Sequence, residues 1–262
     1  MAKPIVASSP AQRRRRAPNS APEGRMGLLK RSTSTISDSI YNRLHAQIIS
    51  LELPPGTPIS ENATALTEGV SRTPVREAIL RLSDEKLVEV VPKSGTFVAR
   101  IPVSALPEAL IARRALEAVT VRSATRLATR SQILSLRACV ERHREITDRA
   151  NISALHLVDE EFHATIASIG RLPGLWKLIQ QVKVQIDRYR CLTLKLPKER
   201  RAEMVENEHM AIIEAMESGD GDGAVAAMEA HLTGLQLHFA VGINLYPDYF
   251  IHDIDLNEFA DI

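Results

Sequence analysis

The sequence predicts a mainly α protein: an N-terminal winged helix-turn-helix (three helices plus a β-hairpin wing) joined to a six-helix antiparallel bundle-like domain. Three observations carry that expectation. Apolar residues recur at helical spacing from Ile36 to about residue 241. One stretch, "LVEVVPKSGTFVAR" at residues 87–100, breaks the pattern with two β-prone runs around Pro92-Lys93-Ser94-Gly95, a hairpin signal. The charge is also unevenly divided. Residues 1–100 hold 15 Lys and Arg against 9 Asp and Glu, and residues 101–262 hold 18 against 23. A basic module joined to a mildly acidic one fits a polyanion-binding head fused to a domain with another task.

Residues 1–35 are rich in Pro, Ser and Arg and include the run Arg13 to Arg16. They bury too little apolar surface to order themselves and read as a disordered basic tail. That tail is either simply solvated or a sequence-independent phosphate contact. "ISDSIYNRLHAQIISLEL" then places Ile36, Ile40, Leu44, Ile48 and Leu51 on one helix face and stops at "PPG". A short second helix follows in "SENATALTEG", with Ser60 as its N-cap and Gly69 at its end. The third is "GVSRTPVREAILRL" (69–82), and the hairpin completes a DNA-binding unit over residues 36–101.

Beyond Pro102 helices are expected at roughly 104–129, 131–150, 153–169, 173–195, 198–218 and 222–241, punctuated by Pro173, Pro197 and Gly219. Six helices with short connections make one antiparallel bundle-like domain over 102–241. Residues 242–262 form a C-terminal tail with Tyr246, Tyr249, Phe250 and Phe259 among acids, packing on the domain or on a partner chain. Cys139 and Cys191 lie far apart without metal or disulfide spacing, as in a reduced cytoplasmic protein. There is neither a run of about 18 apolar residues nor a signal-peptide apolar core, so no membrane role is expected.

On the third helix Val75, Ala78, Ile79 and Leu82 share one arc and must face the core. Arg72, Thr73 and Arg76 lie beside it, Pro74 sits in the first turn where its missing N–H costs little, and Ser71 or Thr73 can cap. Paired arginines and a hydroxyl at a helix mouth suit the major groove, where arginine grips guanine and the helix N-terminus holds phosphate. The bland alternative is a surface helix with solvated arginines.

A second constellation lies further on. Asp159 and His163 are spaced i, i+4 beside the apolar arc of Leu155, Val158, Phe162, Ile166 and Ile169. His209 falls within the stripe of Val205, Ile212, Ile213 and Met216, and His231 flanks that of Ala224, Met228, Leu232 and Leu235. A lone histidine on an apolar face is usually a satisfied core residue. Three of them with an aspartate, on three inward faces, form a mixed N/O donor set for a divalent metal, Zn ahead of Ni, Mn or Co. His156 and His238 are the next-ranked ligands. Arg113 sits mid-stripe among Leu106, Leu110, Leu116 and Thr120, with Glu117 at i+4. A buried guanidinium needs a partner, either Glu117 or an effector carboxylate. Arg190, at the edge of the Ile179–Val182–Ile186 stripe, is a second candidate.

Residues 54–101, "PPGTPISENATALTEGVSRTPVREAILRLSDEKLVEVVPKSGTFVARI", resemble the signature of the GntR family of bacterial transcription regulators. The resemblance implies that Ser71, Arg72, Thr73 and Arg76 contact bases and phosphates, with the wing at Lys93, Ser94 and Gly95 reaching the minor groove. The chain departs from the family at Thr64 and Glu68, where leucines are usual, leaving Leu66 to pack through a slight rotation of that helix. Lys86 replaces a customary glycine. "DEEFH" and "NEHMAIIEAMESGDGDGAVAAMEAHL" resemble the FCD-type ligand-sensing domain of the FadR subgroup, with six helices leaning toward the VanR-like branch. That implies Asp159, His163, His209 and His231 as metal ligands. The resemblance of "RALE" (114–117), with Arg113 before it, to the subgroup's "R..LE" implies Arg113 as a carboxylate clamp.

Together these readings describe a homodimeric repressor on a short inverted repeat in double-stranded DNA, controlled by a small carboxylate beside a metal. The alternatives are a regulator answering to the metal itself, a constitutive architectural DNA binder, and a metal-dependent hydrolase. The last lacks HExxH, has no glutamate assignable as a general base, and leaves the winged helix unexplained. No enzyme is expected.

Overall fold

The computed structural model describes residues 1–2, 35–146, 151–193, 201–236 and 239–255. The arginine run 13–16, Pro197, His238 and Phe259 fall outside them.

Helix α1 (Ile36–Ile49) opens with a capping box in which Thr35 and Asp38 exchange side-chain and backbone hydrogen bonds. Ile40, Leu44, Ile48 and Ile49 are buried, whereas Ile36, in the open first turn, is exposed. Leu51 lies past the helix end at φ 58° and joins Ile101 in the C-terminal core instead of continuing the α1 stripe. After strand β1 (Pro58–Ile59), helix α2 (Glu61–Glu68) is fixed at both ends. Ser60 accepts from the Ala63 N–H, and Gly69 closes it in the left-handed region at φ 65°. Those caps set the rotation of an eight-residue helix, so Ala65 faces inward and Leu66 stays 84% exposed. The rotation expected to bury Leu66 does not occur.

Helix α3 (Arg72–Asp84) buries Val75, Ala78, Ile79 and Leu82. Strands β2 (Val88–Val91) and β3 (Gly95–Val98) form the hairpin, with Val88 opposite Val98 and Val91 opposite Gly95. β1 adds an unanticipated third strand, in the order β1-β3-β2, all antiparallel. The hairpin turn has Pro92 followed by Lys93 at φ 63°, closed by Ser94 N–H to Val91 O at 3.0 Å, the pattern of a type II turn. Lys86 also adopts a left-handed conformation, φ 59°, at the position where a glycine is customary.

Strand β4 (Ile101–Pro102) leads to α4 (Ala105–Leu127), α5 (Arg130–Glu145), α6 (Ile152–Ile169), α7 (Pro173–Val182), α8 (Val184–Thr193), α9 (Arg201–Glu217), α10 (Gly221–Gln236), α11 (Phe239–Leu245) and β5 (Phe250–Ile251). α4 is the central helix and packs on α6, α7, α8, α9 and α10, which is why its Arg113 and Glu117 are buried. The span expected as one helix over 173–195 bends at Lys183, where that side chain turns inward onto Glu160 and Asp187. The span expected over 222–241 corresponds to α10 and the start of α11.

The C-terminal segment packs on its own chain. β5 pairs in parallel with β4, Phe250 is buried beside Tyr189, and Gly242 lies so close to the Tyr189 ring that a Cβ would sit 2.7 Å from it. Asp253 accepts from the Ser104 N–H at 3.0 Å and its hydroxyl at 2.6 Å, closing the start of α4. α8 belongs to both apolar cores. Ile186, Tyr189 and Leu192 join that of the helical part, and Val184 and Cys191 join that of the head.

Candidate metal centre and nucleic-acid interface

Asp159 and His163 come one turn apart from α6, His209 from α9 and His231 from α10. All four are buried, and one donor atom from each lies within 4.8 Å of the others. His163 Nε2 faces His231 Nε2 at 3.3 Å, and His209 Nε2 lies 3.4 Å from Asp159 Oδ1. The far ring nitrogens are already engaged, His163 Nδ1 with Glu117 Oε2 at 2.5 Å and His231 Nδ1 with Glu208 Oε2 at 2.7 Å. An ionised carboxylate only accepts, so each Nδ1 donates and each ring turns its Nε2 inward. Phe162 stacks on His209 at 3.9 Å between centroids and fixes that ring's plane.

The electrostatics keep the donors ready for a cation. Burial lowers His209 to about 3, overriding the pull of the neighbouring Asp159 carboxylate. Burial, reinforced by the charge of His163, also holds His231 well below its ordinary value. Burial opposes ionisation of Asp159, but the Arg190 guanidinium on its Oδ2, together with His209 and His163, outweighs it and holds the carboxyl well below its usual range. Asp159 Oδ1 and His209 Nε2 are buried without any hydrogen-bond partner. Two orphaned donor atoms beside the facing Nε2 atoms of His163 and His231 are a set that a divalent metal would complete, so these residues fit one.

Arg113 does pair with Glu117, Nε to Oε1 at 2.5 Å, but its Nη2 is buried and unpartnered. Arg113, Glu117 and His163 thus form a continuous relay beside the cluster. Arg190 is bound to Asp159, where it orients that carboxylate. His156 turns away from the cluster. The role of Glu208 was not legible in the sequence, since a residue next to His209 points about 100° away and meets His231 only because α9 and α10 pack together.

In the head, Ser71, Arg72, Thr73, Arg76, Lys93, Ser94 and Gly95 are all exposed. Ser71 holds the N-cap position of α3 but makes no capping bond. Arg72 pairs with Glu61 at 2.7 Å and, with Thr73 and Arg76, borders a hollow of about 500 Å³. Arg72 also borders a second hollow with Ser94 and Gly95, so the mouth of α3 and the wing tip share one groove.

The family model described as "Bacterial regulatory proteins, gntR family" matches residues 36–98, and that described as "FCD domain" matches residues 108–234. The HTH-type transcriptional repressor RspR of Escherichia coli (strain K12) is 29% identical over 200 residues, 76% of this chain and 87% of that protein. An HTH-type transcriptional regulator in an unstable DNA locus of Streptomyces ambofaciens is 32% identical over 194 residues, 74% of this chain and 80% of that protein. The solved structure of E. coli McbR/YncC superimposes with a TM-score of 0.69 at 21% identity, covering 81% of this chain and 99% of the other. No described helix is long and apolar enough to cross a membrane.

Proposed function

The chain belongs to the gntR family of bacterial regulatory proteins, with an FCD domain behind its winged helix, and from that premise we propose that it is a repressor released from or held on its operator by a small carboxylate metabolite bound beside a divalent metal. It is a DNA-binding transcription regulator and not an enzyme. Residues 36–101 read the DNA, and residues 102–241 bind the effector and pair two chains. A two-fold protein then meets a short inverted repeat in the cytoplasm. Ser71, Arg72, Thr73 and Arg76 contact the major groove, and Lys93, Ser94 and Gly95 the minor groove.

The metal, Zn ahead of Ni, Mn or Co, is held by Asp159, His163, His209 and His231 and when bound offers a Lewis-acid position for a carboxylate. The observation that carries the effector reading is the buried, unpartnered Nη2 of Arg113, one residue removed from a ligand through Glu117. A guanidinium donor left bare in a dry site is costly unless an anion meets it, and a carboxylate matches its geometry. The effector acts only by its differential affinity for the two placements of the heads.

The test is operator affinity of the metal-loaded chain against a panel of mono-, di- and hydroxycarboxylates, on DNA selected by the protein from a random pool. A carboxylate that shifts affinity in the wild type and not in Arg113→Met supports the reading. Affinity that follows metal concentration alone, indifferent to every acid, transfers the effector role to the metal.

A further inference from the structure

Between the head and the helical part runs a cleft of about 690 Å³. His45 of α1 and Glu85 stand on one wall, and His156, Glu160, Lys183 and Asp187 on the other. His156 and Glu160 form an i, i+4 pair on α6 three positions removed from the Asp159–His163 pair, so they stand about 60° around the helix and face a different space. One donor atom each from His156, Glu160 and Asp187 lies within 4.8 Å of the others. Lys183 holds one oxygen of each carboxylate, Glu160 Oε1 at 2.6 Å and Asp187 Oδ2. That leaves Asp187 Oδ1 and His156 Nδ1, both buried and both without a partner, although Asp187 as a whole is only 5% exposed.

The ammonium of Lys183 does not account for these atoms. It satisfies one side of the carboxylates and leaves the other side facing a bare imidazole nitrogen. Along the cleft itself Asp84, Glu85, Glu160 and Asp187 stand against Lys177 and Lys183, and Arg113 and Arg190 act on Asp187 from behind without meeting its Oδ1. Burial pushes His45 and His156 below the ordinary histidine range, which favours neutral rings with a free lone pair. An imidazole nitrogen and two carboxylates at mutual ligand distance, with His156 Nδ1 and Asp187 Oδ1 orphaned, form the donor set of a borderline divalent cation.

The geometry points to a second divalent-cation site in this cleft, held by His156 Nδ1, Asp187 Oδ1 and Glu160 and separate from the Asp159 centre. Water completes its coordination. The walls belong to α1 and the end of α3 on one side and to α6 and α8 on the other, so a cation here bears on the joint between head and helical part.

Zn(II) titrated into the chelator-stripped full-length chain, with bound metal counted by equilibrium dialysis and elemental analysis, tests the assignment. Wild type is expected to take up about two equivalents, and His156→Ala one fewer whatever the occupancy of the Asp159 centre. His209→Ala loses the other equivalent and keeps the one in the cleft. His156 is only partly buried, so its truncation leaves the fold intact, checked by circular dichroism. Lys183→Met, which removes the competing ammonium at similar volume, tightens the cleft site by roughly tenfold. Wild-type stoichiometry in His156→Ala overturns the proposal, as does an unaltered affinity in Lys183→Met.

Discussion

His163 and His231 meet Nε2 to Nε2 at 3.3 Å in a buried site, each with its Nδ1 given to a carboxylate, Glu117 and Glu208. Without a cation, two neutral rings set lone pair against lone pair, and at best one ring can relieve this by taking a second proton. A cation between them turns that repulsion into two bonds.

Metal removal should therefore destabilise the protein. A ligand at a hundred times its Kd contributes about 2.7 kcal/mol. For a chain of this size that corresponds to a loss of roughly 5–10 °C in Tm on chelation. The loss should be recovered on reloading and smaller in His209→Ala, which keeps only the ion of the cleft. Identical melting curves with and without chelator would remove the metal from the structural account.

Arg72 lines both the hollow at the mouth of α3 and the groove shared with the wing. Arg72→Ala should weaken operator binding by about 1–3 kcal/mol while leaving random-sequence affinity nearly unchanged, if the side chain reads a base. Equal losses on both DNAs in a binding assay would make it a phosphate contact.

Lys86 carries a side chain at φ 59°. A left-handed conformation costs a residue with a Cβ roughly 1–2 kcal/mol, and glycine pays back part of that gain through the entropy of the unfolded chain. Lys86→Gly should raise stability by about 0.5–1 kcal/mol, seen as a higher denaturant midpoint at constant slope. A lower midpoint would show that the Lys86 side chain makes a stabilising contact in solution.

Arg188 reaches from α8 to the base of the wing, Nη2 to Ala99 O at 2.5 Å, while Gln185 reaches Lys86 O at 3.3 Å. Two residues on, Arg190 holds Asp159. α8 thus touches the Asp159 cluster and the head at once. Burial lowers Arg188 to about 10, a sign that its charge is poorly compensated. Its lost hydrogen bonds and relieved desolvation should nearly cancel in Arg188→Met, within about 1 kcal/mol. The effector-dependent shift in DNA affinity should nonetheless shrink several-fold. A full shift in that variant would mean that coupling bypasses α8.

Phe250 is buried beside Tyr189 in the segment that pairs β5 with β4. Phe250→Ala should cost about 3–5 kcal/mol by equilibrium unfolding. A change below about 1 kcal/mol would mean the segment is dispensable.

The winged helix was open to sequence reading because its signals are local. Val75, Ala78, Ile79 and Leu82 repeat at helix spacing, Pro92 to Gly95 mark the turn, and residues 36–98 match the gntR family. The four-residue cluster was half legible. Periodicity placed Asp159, His163, His209 and His231 on inward faces, but a face does not say what it will meet. That Glu208 would turn to His231, that Arg190 would take Asp159, and that His156 would look into another cleft depended on how α6, α8, α9 and α10 pack.

The sequence by itself determined most of the helices, the hairpin and the inward side of each long helix, though not β1 or the face of α2, because helix period and capping act over a few residues. Only the tertiary structure decided the bend at Lys183, the return of Phe250 to β4 and the second cluster at His156. Each of these depends on contacts between residues distant in the chain, whose pairing is set by the packing of the whole core and not by any local run.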